Sequence, residues 1–276
     1  MAITLVNGIV CDYISAQDRG LHYGDGVFET LAYVEGHFQF LQQHLARMQD
    51  GAERLGIPYP DESLFLGDIH KLLQKADAPR GVFKLILTRG QGQRGYRPAK
   101  KSIATRICQY SDWPEHIDNW KSTGIDTRIC DTRASVNTSL AGIKHLNRLE
   151  NVLASSELGA NYQEGFLLDN SDNVIEGTMS NIFTVIDKTL VTPELNHCGI
   201  AGVIRGQVLK IAKEHQINTE IRTVSKDEIV QAREIFICNS LLGVCAVNTI
   251  DGVKVQSNTI TNTINATLNK RMSLNA

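Results

Sequence analysis

The sequence predicts an α+β protein of two domains, with mixed or antiparallel sheets and helices packed on them. Three observations point there. The early strands come as hairpins, because Asn7-Gly8 and Glu35-Gly36 each sit between short apolar runs. Strands and helices then intermix without regular βαβ alternation, which argues against a doubly wound parallel sheet. Finally, "SDWPEHIDNWKST" at 111–123 is polar, holds a proline and has no hydrophobic period. It predicts a linker between a smaller domain at 1–110 and a larger one at 124–276.

The elements follow in order. "ITLVNGIVCDY" and "FETLAYVEGHFQFL" read as the two hairpins. "FLQQHLARMQDGAERLG" is a helix with Leu41, Leu45, Met48, Ala52 and Leu55 on one face. A second helix is expected over 61–77, before Pro79, and "GVFKLILT" and "SIATRICQY" are expected as strands. The larger domain opens on the strand "GIDTRIC". "AGIKHLNRLENVL" at 141–153 then begins as a loop and becomes an amphipathic helix. Ile143, Leu146, Leu149, Val152 and Leu153 recur at helical spacing, so this stripe is expected to face the core and to aim Lys144 from the loop.

"GFLLDNSDNVIEGTMSNIFTVID" reads as a strand, a polar turn and one or two further strands. "GVIRGQVLKIAKEH" is a helix with Ile204, Val208, Ile211 and Ala212 inward. Ser225 and Glu228 form a capping-box pattern. "EIFICNS" and "GVCAVNTIDGVKV" are strands, and a helix closes the chain.

The totals restrict the function. A chain of 276 residues with 42% hydrophobic content can bury a sizeable core. The net charge of −2 gives no bulk basic field for nucleic acid or an anionic membrane, so a small-molecule substrate is expected. Six cysteines fall mostly in apolar stretches and form no C-x-x-C pair. They read as buried thiols in a reducing compartment, without zinc spacing. The opening residues lack a basic n-region, and no apolar run reaches the roughly 18 residues of a membrane span. A cytoplasmic protein is expected.

"RGQGQRGY" at 89–96 contains G-x-G-x-x-G at Gly90, Gly92 and Gly95. The dinucleotide reading fails, because it needs a helix N-terminus after the glycines to hold a pyrophosphate. Here "YRPAKKSI" follows, with Pro98. A mobile loop between two strands is expected instead, with Arg94, Tyr96 and Arg97 exposed. Two guanidinium groups on one loop suit a carboxylated ligand, although a plain solvated loop reads the same way.

Four scattered features make chemical sense together around pyridoxal 5'-phosphate, which needs an amine, a carboxylate against its ring nitrogen and donors for its phosphate. Lys144 is the candidate amine; otherwise it is a surface lysine. Glu176, at a strand end, is the candidate carboxylate. "GIAGVIRG" at 199–206 enters a helix whose first amides, at Val203 and Ile204, point outward, as they do at every helix start. Arg47, one turn after His44, is a candidate counter-charge or an ordinary surface arginine.

A resemblance decides between these readings. "DRGLHYGDGVFET", "HLAR", "GIKHLNRLE", "EGTMSNIF" and "GVIRG" occur in the order found in fold-type IV pyridoxal-phosphate enzymes, and the likeness covers about residues 3–250. That family includes branched-chain and D-amino acid aminotransferases and aminodeoxychorismate lyases. "TRGQGQRGY" and "AGIKHLNRLE" look most like the lyases, which make 4-aminobenzoate and pyruvate from 4-amino-4-deoxychorismate for folate synthesis. "GVFET" is shared across the wider family and does not favour the lyase.

The resemblance implies roles by position. Lys144 is the Schiff-base lysine and Glu176 the ring-nitrogen partner. Arg47, Val203, Ile204 and Ser240 take the phosphate, and Ile200 packs on the ring. Ile204 stands where aminotransferases often carry threonine, so a hydroxyl contact is lost. Arg94, Tyr96 and Arg106 fall in the substrate-carboxylate region, and Asn147 orients the lysine or the substrate. The family usually forms homodimers.

Overall fold

The computed structural model describes residues 3–76, 79–255 and 259–274. Residue 77, at the end of the expected helix, and residues 1 and 276, at the ends of the expected domains, lie outside them. The chain forms two compact units.

The first unit takes the chain up to Pro114 together with Ile143–Asn147. Its elements are β1 (Ile3–Val6), β2 (Ile9–Val10), α1 (Arg19–Tyr23), β3 (Gly26–Val34), β4 (His37–Phe38), α2 (Leu41–Arg54), α3 (Glu62–Leu73), β5 (Arg80–Thr88) and β6 (Thr105–Asp112). Six strands pair antiparallel in the order β2-β1-β6-β5-β3-β4. Both hairpin turns are as expected: Asn7 and Gly8 (φ 50° and 83°) and Glu35 and Gly36 (φ 51° and 89°) take the left-handed pairs that match strand twist. Leu45, Met48 and Ala52 of α2 and Phe65, Ile69 and Leu72 of α3 join Leu31, Phe83 and Leu85 of the sheet in one core.

The second unit takes Glu115–Gly142 and Arg148–Leu274. It comprises α4 (His116–Thr123), β7 (Ile125–Arg133), α5 (Leu149–Ser156), β8 (Glu164–Leu168), β9 (Val174–Gly177), β10 (Asn181–Ile186), β11 (Thr189–Pro193), α6 (Val203–Glu214), β12 (Thr219–Arg222), α7 (Lys226–Val230), β13 (Glu234–Asn239), β14 (Gly243–Ile250), β15 (Val253–Lys254) and α8 (Thr259–Leu274). The sheet runs β12-β11-β10-β13-β14-β7-β8-β9, with β15 on β14. It is mixed: β11–β12, β14–β7 and β7–β8 are parallel, and the other pairs antiparallel. Ile204, Val208, Ile211 and Ala212 of α6 are buried, and the Ser225–Glu228 capping box starts α7.

Three expectations are revised. First, the two units divide after Pro114, inside the segment expected as a linker at 111–123, but that segment carries regular structure: β6 runs to Asp112 and α4 begins at His116, anchored by the buried Ile117. One apolar anchor among polar residues leaves too little periodicity to read. Second, Lys144 belongs to the first unit rather than to a contiguous C-terminal domain. The chain leaves the second unit after Gly142 and returns at Arg148. Between them Val27 bridges His145, the Phe28 N–H donates to Lys144 O, and the Leu146 N–H donates to Gly26 O. Third, the helix after the lysine starts only at Leu149, and its stripe does not face the core. Leu149, Val152 and Leu153 are 78%, 61% and 57% exposed, and Ala154 is the buried residue of α5. Ile143 does reach a core, that of the first unit. Backbone bonds to Gly26 and Phe28 of β3 keep this segment out of a helix, which overrides its helical spacing.

Candidate active site

In the first unit the site grows from β3 and α2. Phe28 and Glu29 are neighbours on β3, so their side chains leave opposite faces of the sheet. The half-buried Lys144 puts its Nζ 4.3 Å from the Phe28 ring centroid, where the ring face attracts a cation. Glu29 is fully buried and accepts from His44 Nδ1 at 2.6 Å, Arg47 Nε at 2.7 Å and Arg47 Nη2 at 2.5 Å. His44 and Arg47 lie one turn apart on α2, so one helix face delivers both to the carboxylate.

Burial pushes the Glu29 carboxyl up. The Arg47 charge and the hydrogen bonds from His44 and Arg47 outweigh it and hold the group down at about 2. Burial pushes His44 down; its bond to Glu29 opposes this, and the charges of Arg47 and Lys144 reinforce it. At neutral pH the cluster is therefore an ionised glutamate, a neutral imidazole donating from Nδ1, and an arginine. The expected surface or phosphate arginine is thus also a structural partner of Glu29, and neither Glu29 nor His44 stood out in the sequence. Their spacing across β3 and α2 carries no local signal.

Asn147 donates its Nδ2 to Gly24 O at 3.1 Å and its backbone N–H to His145 Nδ1 at 3.2 Å. A Cβ on Gly24 would come within 2.7 Å of Asn147 Oδ1, so the lysine segment and the α1–β3 turn interlock. Arg94 and Tyr96 are exposed on the β5–β6 loop, as expected.

Arg106 is not in a position to bind a substrate carboxylate. It is buried, donates from Nε to Asp68 Oδ2 at 2.5 Å and lies over the Phe65 ring. Its alternation along β6 turns it inward beside Cys108, which sequence order could not show.

In the second unit the candidate residues are held largely by backbone. Glu176, on β9, is 6% exposed, and its Oε2 accepts the Ile200 N–H at 2.8 Å. Ile200 O in turn accepts from Asn181 Nδ2 at 2.8 Å. Gly202 caps α6 without any side-chain cap, and a Cβ there would stand 2.1 Å from Asn181 Oδ1. Only glycine fits. The Val203 and Ile204 amides that follow have no acceptor within the helix. Ser240 lies in the turn after β13, whose Asn239 Oδ1 accepts the Leu241 and Leu242 N–H groups.

Two residues of this unit were missed. Burial pushes the Arg148 guanidinium down while the Glu176 carboxylate opposes it, so a second charge stands near Glu176. Glu164 is buried and accepts from Gly165 N, Thr178 N, Thr178 Oγ1 and Ser180 Oγ at 2.9, 2.8, 2.5 and 2.7 Å. It fixes the turn that directly follows Glu176. The buried glutamate in an otherwise apolar strand, "EGFLL", was the available signal.

The donor set fits pyridoxal phosphate. The first unit offers a half-buried primary amine and an arginine, and the second a buried carboxylate and a helix N-terminus without a side-chain cap.

The fold and these residues define an enzyme class. The amino-transferase class IV family matches residues 26–250, and the chain belongs to that family. It is 34% identical to an aminodeoxychorismate lyase of Vibrio harveyi over 89% of this chain and 90% of that protein. It is 39% identical to the crystal structure of 4-amino-4-deoxychorismate lyase from Pseudomonas aeruginosa, with a TM-score of 0.91 over 97% of this chain and 98% of that one. A putative branched-chain-amino-acid aminotransferase of Methanocaldococcus jannaschii is 32% identical over 87% of this chain and 83% of that protein.

Proposed function

We propose that this protein is a pyridoxal-phosphate-dependent lyase that converts 4-amino-4-deoxychorismate to 4-aminobenzoate and pyruvate, a step of folate synthesis. The observation that carries the reading is the likeness to the Pseudomonas aeruginosa lyase along nearly the whole chain. The cofactor, when bound, supplies an electron sink for the carbon bearing the substrate amine. Lys144 would hold it through its amine, and Glu176 would keep its ring nitrogen protonated. Val203, Ile204, Ser240 and Arg47 would take its phosphate, and Ile200 would pack on its ring.

The chain's own residues do the remaining work. Arg94 and Tyr96 bind the substrate carboxylate and orient the ring. Lys144 Nζ, half-buried beside the Phe28 ring, takes the proton from the amine-bearing carbon. It then stands as the acid for the departing enolpyruvate. Asn147 holds the lysine segment in register for both tasks, through Gly24.

Incubating the holoenzyme with 4-amino-4-deoxychorismate should yield 4-aminobenzoate and pyruvate in equal amounts. A second reading, an amino acid aminotransferase, is supported by the 32% identical relative. Keto acid formed from branched-chain or D-amino donors, without 4-aminobenzoate from the chorismate substrate, would replace the first reading by the second.

The active form is a homodimer in the cytoplasm. The exposed Leu149, Val152 and Leu153 of α5 form an apolar face that a second copy would cover. Light scattering of the purified protein should give twice the mass of one chain. Among the described residues no helix is long and apolar enough to cross a membrane.

A further inference from the structure

Arg19, the first residue of α1, is 5% exposed, and its guanidinium is almost fully engaged. Nε donates to Asp25 Oδ2 at 2.8 Å, Nη1 to Gly95 O at 2.9 Å and Nη2 to Tyr96 O at 2.7 Å. The same group lies 4.8 Å from the Tyr23 ring centroid, and the Tyr23 hydroxyl accepts the Gly95 N–H at 3.2 Å. The rings of Tyr23 and Tyr96 stand 5.3 Å apart. A Cβ on Gly92 would come within 2.7 Å of Arg19 Cδ, so the loop passes over the arginine only because it is glycine there.

The arginine is itself held from behind. Asp18, 1% exposed, accepts from Gly20 N, Thr88 Oγ1 and Thr105 Oγ1, at 2.8, 3.0 and 2.7 Å. Asp25 also pairs with Arg89, whose Nη groups reach Leu55 O and Gly56 O beyond α2. The glycine-rich loop at 89–96, expected to be mobile, is therefore tied by its backbone to a buried ion-pair chain. That chain grips two carbonyls and no loop side chain, so Arg94 is left exposed. Arg94 and Gly92 line a cleft of about 400 Å³ with Gln17, Arg19, His22 and Tyr23, a volume that takes a small acid.

We propose that Arg19 is a positioning residue for substrate binding. By clamping the backbone at 95 and 96 it fixes where the neighbouring Arg94 guanidinium meets the substrate carboxylate. This rests on the reading of Arg94 and Tyr96 as the carboxylate-binding pair. Lysine cannot replace Arg19, because an ammonium is a point donor and cannot bridge two carbonyls and a carboxylate with fixed geometry.

The test uses the holoenzyme as wild type, Arg19→Lys, Tyr23→Phe and Arg94→Ala. Native trypsin cutting between Arg94 and Gly95 reads the clamp directly; Pro98 protects the bond after Arg97. Arg19→Lys should be cut at least about tenfold faster, and its KM should rise about tenfold with kcat changed less than about threefold. The visible absorbance of bound cofactor should stay. Tyr23→Phe, a milder variant, should move trypsin cutting and KM in the same direction by less. Unchanged cutting in Arg19→Lys and Tyr23→Phe overturns the clamp. Faster cutting with an unchanged KM overturns the positioning role. An unchanged KM in Arg94→Ala overturns the carboxylate reading on its own, because trypsin reports the loop independently of activity.

Discussion

The two units hold their candidate functional residues in different ways. In the first, side chains do the work: Lys144, Arg47, Glu29 and His44 are defined by charges and hydrogen bonds between side chains. In the second, the backbone does it: Glu176 is fixed by an amide, and the helix N-terminus is open because Gly202 has no Cβ. Side-chain chemistry is fragile to the loss of one group. A backbone cradle is fragile to the addition of atoms.

That contrast can be tested from its largest effect downward. On the proposed reading Lys144 is both anchor and base, so Lys144→Ala should lower turnover about 10⁴-fold or more and abolish the visible absorbance of bound cofactor. Retained absorbance and turnover would remove Lys144 from the chemistry. Glu29→Ala leaves the Arg47 charge without its carboxylate and should cost about 3 kcal/mol or more in urea denaturation. A change below about 1 kcal/mol would mean that the cluster is not structural.

The same cluster sets an acid limb. Glu29 is depressed from 4.5 to about 2, so its stabilisation is complete above the unfolded value and lost as pH falls toward about 2. His44 is also depressed, from 6.5, so its contribution is present above 6.5 and is lost in the same direction. Wild type should lose stability between about pH 6 and 2, and Glu29→Gln should show a shallower fall. Parallel curves would refute the assignment.

In the second unit, Gly202→Ala adds one methyl against Asn181 Oδ1. It should weaken pyridoxal-phosphate binding about tenfold or more in an absorbance titration, without altering any charge. Unchanged affinity would mean that the helix N-terminus does not hold the phosphate. Smallest of all, Arg106→Lys should lower stability by about 1–2 kcal/mol and leave KM for the substrate unaltered. A raised KM would restore Arg106 to the substrate site.

Much of this was readable from residues in order. The hairpins at Asn7-Gly8 and Glu35-Gly36, the α2 and α6 faces and the Ser225–Glu228 box are local events with local signals. Lys144, Glu176, Arg47 and the glycine at 202 have residue types that match one cofactor's needs, and the resemblance to fold-type IV enzymes decided between those roles and ordinary surface ones. The misreadings share a cause. Leu149, Val152 and Leu153 have a core-like period, yet α5 exposes them, because period tells which residues share a face and not what that face meets. Arg106 had the right charge in the right strand, but the pleat turns it to Asp68.

By itself, then, the sequence determined the α+β class, the hairpins and main helices, and the residue types able to hold pyridoxal phosphate. These depend on short-range periodicity, turn chemistry and functional groups. Only the tertiary structure decided that Lys144 is carried by the first unit, that Glu29 and His44 stand behind Arg47, and that Arg19 grips the loop bearing Arg94. Each of those is a contact between residues distant in the chain. Its energy comes from burying charges and backbone carbonyls together, and no local pattern encodes that.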